Sequence, residues 1–431
     1  MYFGFYEKEI TPPLGGDIPG CYAHRFADAV KDRLFVKAVV LAKDREDMTT
    51  ATALAVIDAV EISRKQCDTV IKRASECSGI PAGNISVAAN HTHWGIPCGD
   101  VISYEDTAFT DVCCRLTADC ITLACRDLIS GSVGYGCGRV ENVSFVRDYL
   151  LDDGLIVTNP KRSVRHRIVA PNTDPDRELP ALFFYNEASE PVACIYSFSL
   201  HQCCLGGNGY SGDFSSVVSK LNKKNFGKDF VSLYLAGTSG DVNHIDFINN
   251  FKAEYHDIAQ KIKTELDRIR PDAKLLSTEL SFKKTAVALK RRHASEEELE
   301  KAKWILEDVE NRTPEHDMTG SASYLLVEYE ERFDIEPEEL LAPVHVIKLG
   351  EAVLFILPGE LYSVFGRTLR EAVDGKKALV CELANMAAGY IPPAEMLKTK
   401  VYPADLCHGS YLEPEAGNKL CEKAIEVLKE L

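Results

Sequence analysis

Positive charge is scarce in this chain. Across 431 residues, 49 Lys and Arg stand against 65 Asp and Glu, a formal charge of −16. Phosphate recognition needs a basic stripe, so the balance argues against nucleic acid as a partner; it favours solubility and says nothing about fold. Long apolar runs are missing too. The longest, near Leu34 to Ala42, is interrupted by Lys37, well short of the ~18 residues that span a bilayer, so no stable membrane insertion is expected. The N-terminus, Met1-Tyr-Phe-Gly-Phe-Tyr-Glu-Lys, has no basic stretch leading into an apolar core, and no secretory signal is expected from it. Only 19 prolines and no low-complexity tract or repeat exclude disordered, collagenous and array-like classes. Cysteine is plentiful but unpaired in its spacing. The 15 cysteines are an odd number, and the neighbours Cys113-Cys114 and Cys203-Cys204 suit neither disulfides nor zinc knuckles. Reduced thiols in a cytoplasmic protein are expected, without disulfides, and sequons such as Asn142-Val-Ser144 then read as chance matches.

Strand and helix patterns alternate along the chain. Leu34–Leu41 and Thr52–Ile57, divided by the charged turn Lys43 to Asp47, predict a hairpin. Apolar positions Cys67, Val70, Ile71 and Ala74 predict a helix over about 63–78. Ile85–Ala89 reads as a short buried strand, 107–128 as a helix, and 181–185, 192–198 and 231–235 as strands. Residues 288–312 read as a long charged helix opening a helical insertion at about 288–334, after which 344–349 and 352–357 form a hairpin around Gly350-Glu351. Helices close the chain at 361–373 and 415–431. The expected fold is α/β, a layered sandwich on a large mixed β-sheet with helices on both faces, in a single domain over 1–431.

Chemistry concentrates in a few short motifs. Asn90-His91-Thr92-His93-Trp94-Gly95 follows the buried strand 85–89. Residues i and i+2 of an extended chain share a face, so His91 and His93 can project into one cleft; they read equally as two surface loop histidines. His201, in Ser199-Leu-His201, reads as a ligand or as a satisfied core histidine, with the polar Gly206-Gly207-Asn-Gly209 and Ser211-Gly-Asp213 stretches after it. Glu360, in Leu357-Pro-Gly-Glu360, reads as a ligand or as a charge at a helix N-terminus. Tyr390, in Ala388-Gly-Tyr390, reads as a packing residue unless the other motifs meet it.

In order, Glu9-Ile-Thr-Pro-Pro-Leu-Gly, Asn90-His-Thr-His, Ser199-Leu-His201, Gly240-Asp-Val-Asn243, Leu357-Pro-Gly-Glu360 and Ala388-Gly-Tyr390 resemble the successive blocks of the N-terminal catalytic domain of the neutral/alkaline non-lysosomal ceramidase family, over about residues 8–427. The resemblance implies one zinc ion on His91, His201, Glu360 and Tyr390, with a position left for a reactive water. It implies that His93 and Tyr402 stabilise the oxyanion, that Arg147 contacts substrate, and that Gly20 lets the backbone approach the substrate. Asn243 occupies the place of a family serine near the reacting amide, and cannot reproduce a hydroxyl's hydrogen bonding. The family's C-terminal immunoglobulin-like domain and signal peptide have no counterpart in these 431 residues. The expectation is therefore a zinc amidohydrolase acting on a small or amphiphilic amide, smaller and more polar than ceramide. A zinc esterase and a catalytically silent ligand-binding protein of the same fold are the alternatives. The metal that fills a nitrogen–oxygen site and the oligomeric state are not readable from sequence.

Overall fold

The computed structural model describes residues 1–20, 24–98, 107–308, 317–332, 338–399 and 401–431. Strands β1 (Tyr2–Glu9), β2 (Phe35–Ala42) and β3 (Ala51–Ile57) form an antiparallel meander, with the expected hairpin pairing Val36 with Ile57. β4 (Ile85–Ala89) adds parallel to β3. A parallel neighbour needs a crossover, and helix α1 (Arg64–Ser78) supplies it. A Ser63–Gln66 capping box starts that helix and Gly79, with left-handed backbone, stops it. Strands β5 (Ile129–Arg139), β6 (Glu178–Asn186), β7 (Pro191–Phe198) and β8 (Val231–Ala236) extend the sheet. The spatial order is β8-β7-β6-β5-β1-β2-β3-β4, and the short strand Lys274–Leu275 on β5 brings the mixed sheet to 9 strands.

Alternation along these strands separates two cores. On β2, Val36, Ala38 and Val40 face the helical layer and share one buried core with Val70 of α1, Ile121 of α2 (Thr107–Arg126), Phe214 of α3 (Asp213–Phe226) and Ile258 of α4 (Tyr255–Ile269). The intervening Val39 and Leu41, with Leu54 and Val56 of β3, face a second sheet and pack on Ile347, Leu349, Leu354 and Ile356. That sheet has 4 strands in the order β9 (Leu280–Lys290), β10 (Glu339–Leu349), β11 (Ala352–Ile356) and β12 (Ala378–Cys381). Two further helices, α5 (Glu296–Asp308) and α6 (Asp317–Arg332), lie between β9 and β10, and the outer face of the second sheet is covered by α7 (Ser363–Glu371) and α8 (Ala416–Glu430). The molecule is thus a mixed α/β sandwich on a large mixed sheet, as expected, with sheet on sheet in the middle and a helical layer outside each. Each fully buried Leu, Ile or Val in these layers contributes about 1.5–3 kcal/mol.

Residues 288–290, expected to open a charged helix, instead complete β9, where the register runs unbroken to Lys290↔Glu339. The helices of the insertion are α5 and α6; residues 309–316 and 333–334 of the expected segment lie outside the described residues, as does Cys21. Among the described residues none of the 14 cysteines forms a disulfide. No helix among the described residues is long and apolar enough to cross a membrane.

Candidate metal centre

Each side chain of the centre follows a strand that belongs to a parallel pair. β3–β4, β7–β8 and β11–β12 are the parallel pairs of the two sheets, and the crevice beyond the carboxyl ends of such strands is where α/β folds bind ligands. His91 and His93 come after β4, His201 after β7, Glu360 after β11. The chain at His91 is not extended. Its φ is +69°, a left-handed conformation that a non-glycine residue adopts under constraint. That constraint is visible: Asn90 N–H donates to Ile57 O at 3.0 Å, His91 N–H to Ala59 O at 3.0 Å, and Asn90 Nδ2 to Asp58 Oδ1 at 2.5 Å. His91 and His93 still face each other with ring centroids 5.0 Å apart, so the two share a cleft through this turn and not through strand alternation.

Glu360 does not cap a helix, since α7 begins at Ser363. It lies in a two-residue strand paired in parallel with Tyr390–Ile391, Glu360 opposite Tyr390. This pairing sets the carboxylate and the phenol side by side. It depends on Gly359 (φ +74°) and Gly389 (φ +62°). A Cβ on Gly359 would meet Ile391 Cδ1 at 2.6 Å, and one on Gly389 would meet Gly409 O at 2.5 Å.

The four expected ligands converge. Glu360 Oε2 lies 3.2 Å from His91 Nε2 and 3.1 Å from His201 Nε2. His201 Nε2 is 3.3 Å from Tyr390 Oη. The ligand atoms of His91, His93 and His201 all lie within 4.8 Å of one another. Each histidine places Nδ1 on a main-chain carbonyl: His91 on Val60 O at 2.7 Å, His93 on Gly20 O at 2.8 Å, His201 on Ser239 O at 2.9 Å. A carbonyl only accepts, so Nδ1 carries the hydrogen and Nε2 presents a lone pair to the cleft. Nε2 of His91, Nε2 of His93 and Oε2 of Glu360 are buried without a hydrogen-bond partner. Unpartnered buried acceptors are costly, and three aimed at one space fit a cation.

Burial disfavours charge throughout the cluster. It lowers the His93 ring well below its ordinary range, helped by His91 and His201, and lowers His201 to about 4. Burial acts on His91 in the same sense, but the Glu360 carboxylate outweighs it and the ring is raised. The Tyr390 phenol is pushed up by burial, against the opposing pull of Arg147.

The remaining expected residues divide. Arg147 is buried with its guanidinium 4.7 Å from the Tyr390 ring centroid, and its Nε and Nη2 have no hydrogen-bond partner. Tyr402 packs edge-on against Tyr390 at 5.5 Å. Gly20 (φ +93°) permits a close approach, but of backbone to His93: a Cβ there would fall 2.6 Å from His93 Nδ1. Asn243 is buried beside the Arg147 segment through the Phe145↔Asn243 pairing. Its amide is engaged internally, donating to Asn159 Oδ1 at 2.8 Å and accepting from Ile245 N–H at 2.9 Å.

Sequence reasoning passed over the residues that join these segments. Gln202 donates from Nε2 to Asn90 O at 2.6 Å, and its own carbonyl accepts from His93 N–H at 3.0 Å. Glu382 immediately follows β12, an acid after a buried strand, which is the same signal that singled out Glu360.

No protein-family model and no curated protein sequence matches this chain. The layer order and the site together describe an αββα sandwich with a candidate metal centre at the strand ends. Among solved structures it is similar to neutral ceramidase from Pseudomonas aeruginosa, with a TM-score of 0.74 and 16% identity over 100% of this chain and 74% of that one. A ceramidase complexed with C2 is similar with a TM-score of 0.68 and 16% identity, over 100% of this chain and 75% of that one. At such identity the likeness establishes the fold: over its whole length the chain has the fold of neutral ceramidase, in line with the family that its ordered motifs resemble.

Proposed function

We propose that the protein is a metal-dependent hydrolase of a carbon–nitrogen amide bond, with zinc on His91, His201, Glu360 and Tyr390. The carrying observation is the convergence of buried, unpartnered acceptor atoms of His91, His93 and Glu360 on the space that His201 and Tyr390 also border. The donor set is imidazole and oxygen, which zinc accepts, and the thiols stay out of it. An ion so held supplies a Lewis acid and an acidified water.

The chain's own groups then have definable tasks. With Nδ1–H committed to Gly20 O, His93 begins as an acceptor at Nε2 and cannot donate to the oxyanion as the resemblance implied. It is suited instead to take a proton from the attacking water and afterwards to return it towards the departing amine. Tyr402, packed edge-on beside Tyr390, is the hydroxyl assigned to the developing oxyanion. Arg147, with unpartnered nitrogens, supplies fixed positive charge to a substrate carbonyl or carboxylate. A second reading follows from the close grouping of the three histidines: His93 itself ligates the metal, and water alone faces the carbonyl. Loss or retention of metal in His93→Ala separates the two.

For substrate we propose an amide smaller and more polar than ceramide. Asn243 takes the place of a hydroxyl residue, and its amide is already bonded within the protein. Trp94 and Ile96, next to the histidines, are buried in the core and offer almost no open apolar surface to a hydrophobic group. The test is elemental analysis of the purified protein, followed by turnover of short N-acyl amides, matching esters and a long-chain ceramide. Faster cleavage of short amides is expected. Preference for the ceramide would overturn the substrate proposal, preference for the esters would overturn the bond assignment, and a protein that takes up no divalent metal would overturn the whole reading.

A further inference from the structure

Behind the centre, one buried carboxyl group joins the two segments that carry different ligands. Glu382 is fully buried, and that burial raises its carboxyl well above the usual range, against the hydrogen bonds from Ser239 and Leu361. Its Oε1 accepts from Ser239 N–H at 3.1 Å and from Ser239 Oγ at 2.6 Å, and its Oε2 accepts from Leu361 N–H at 2.8 Å. Ser239 is the residue whose carbonyl takes the His201 Nδ1 hydrogen. Leu361 directly follows Glu360, in the short strand that pairs with Tyr390–Ile391. The main chain of Glu382 is fixed in turn, its N–H donating to Ala236 O at 2.9 Å at the end of β8.

We propose that Glu382 is the positioning residue of the metal centre, fixing the spacing between His201 and Glu360 by holding Ser239 and Leu361 on its two oxygens. It touches neither ligand side chain. It acts through the carbonyl that orients one imidazole and through the backbone that carries the carboxylate. This inference rests on the reading of the site as a metal centre. Outer partners of this kind set ligand orientation, and their loss costs about 10–100-fold in metal affinity. Glutamine at this position keeps the shape and an acceptor for Leu361 N–H, but its amide nitrogen cannot accept from Ser239 N–H. It should therefore fall between wild type and alanine.

The experiment measures zinc affinity by chelator competition, and the visible spectrum of the cobalt-loaded protein, for wild type, Glu382→Ala, Glu382→Gln and the control Ser197→Ala. Ser197 Oγ donates to Val380 O at 2.6 Å, so the control also loses a buried hydrogen bond at the β7–β12 contact without touching the clamp. Zinc binding weakened about 10–100-fold in the alanine variant, less in the glutamine variant, with an altered cobalt spectrum in both and neither change in Ser197→Ala, is the expected result. Should the alanine variant fail to fold, the glutamine variant carries the test alone. Wild-type affinity and spectrum in Glu382→Gln and Glu382→Ala, or an equal loss in Ser197→Ala, would overturn the inference while leaving the metal centre standing. Absence of metal binding in the wild type would instead remove the reading beneath it.

Discussion

Each histidine of the centre gives its Nδ1 hydrogen to a main-chain oxygen, and that choice decides what the other nitrogen can do. It also exposes what the sequence could and could not show at this scale. His91 and His93 were legible as a pair that shares a cleft, but the reason offered, alternation along an extended chain, is replaced by a left-handed turn at His91. Backbone partners such as Val60 O and Ser239 O carry no side-chain identity, so no residue type announces them. Glu382 carried the same signal as Glu360, but its role was hidden for a related reason, because its partners are main-chain donors 143 and 21 residues away. One prediction belongs here. His91→Ala and His201→Ala should each weaken metal binding beyond the about 100-fold that an outer partner controls, while His93→Ala keeps the ion and loses turnover. Isothermal titration with zinc on the three variants decides it, and an empty site in His93→Ala would favour the three-histidine reading.

Between residue and fold lie the short pairings that periodicity does not report. The long elements were readable: the hairpin around Lys43–Asp47, helix α1, and the hairpin at Gly350 all lie where the sequence pattern put them. The two-residue pairing of Glu360–Leu361 with Tyr390–Ile391 is too short to have a period, and Glu360 looked like a helix charge because α7 begins three residues later. Its signature is instead a glycine before each partner. Gly359→Ala forces a Cβ into a left-handed position and against Ile391 Cδ1 and Gly389 O, at 2.6 and 2.9 Å. The expected cost is about 1–3 kcal/mol of stability, with a larger fractional loss of zinc affinity, because the strand pair shifts the carboxylate and the phenol together. Thermal melts with and without zinc measure both. A variant that loses stability but gains the full wild-type increment from zinc would show that the pairing does not set the ligands.

At the scale of the whole molecule, the sequence pointed to a large mixed sheet with helices on both faces, but not to a second sheet covering one face of β2 and β3. Leu and Val on that face serve a helix layer and a sheet layer equally well. The polar residue that betrays the sheet-on-sheet interior is His345 of β10. It is fully buried, with Nδ1 2.8 Å from Ser86 Oγ on β4 and Nε2 3.4 Å from Thr52 Oγ1 on β3. Burial, with Lys284 nearby, depresses this imidazole to about 3, against about 6.5 in an unfolded chain. The sign follows from linkage. Below pH 6.5 the unfolded chain binds a proton at this site that the folded one refuses, so folded-state stability is present above 6.5 and drains away as pH falls towards 3. At about 1.4 kcal/mol per unit, the drain from this one group reaches about 2–3 kcal/mol by pH 4.5. Glutamine has similar reach and no titration, so His345→Gln should lose some stability at pH 7.5 through imperfect hydrogen bonding. That offset does not depend on pH, and the gap to wild type should close or reverse by pH 4.5. Urea unfolding of both proteins at the two pH values isolates the titration from the offset, because every other buried histidine and carboxylate is common to the pair. A difference in stability that stays constant between pH 7.5 and 4.5 would mean that the interior between the sheets admits a charged imidazole, and that acid unfolding begins elsewhere.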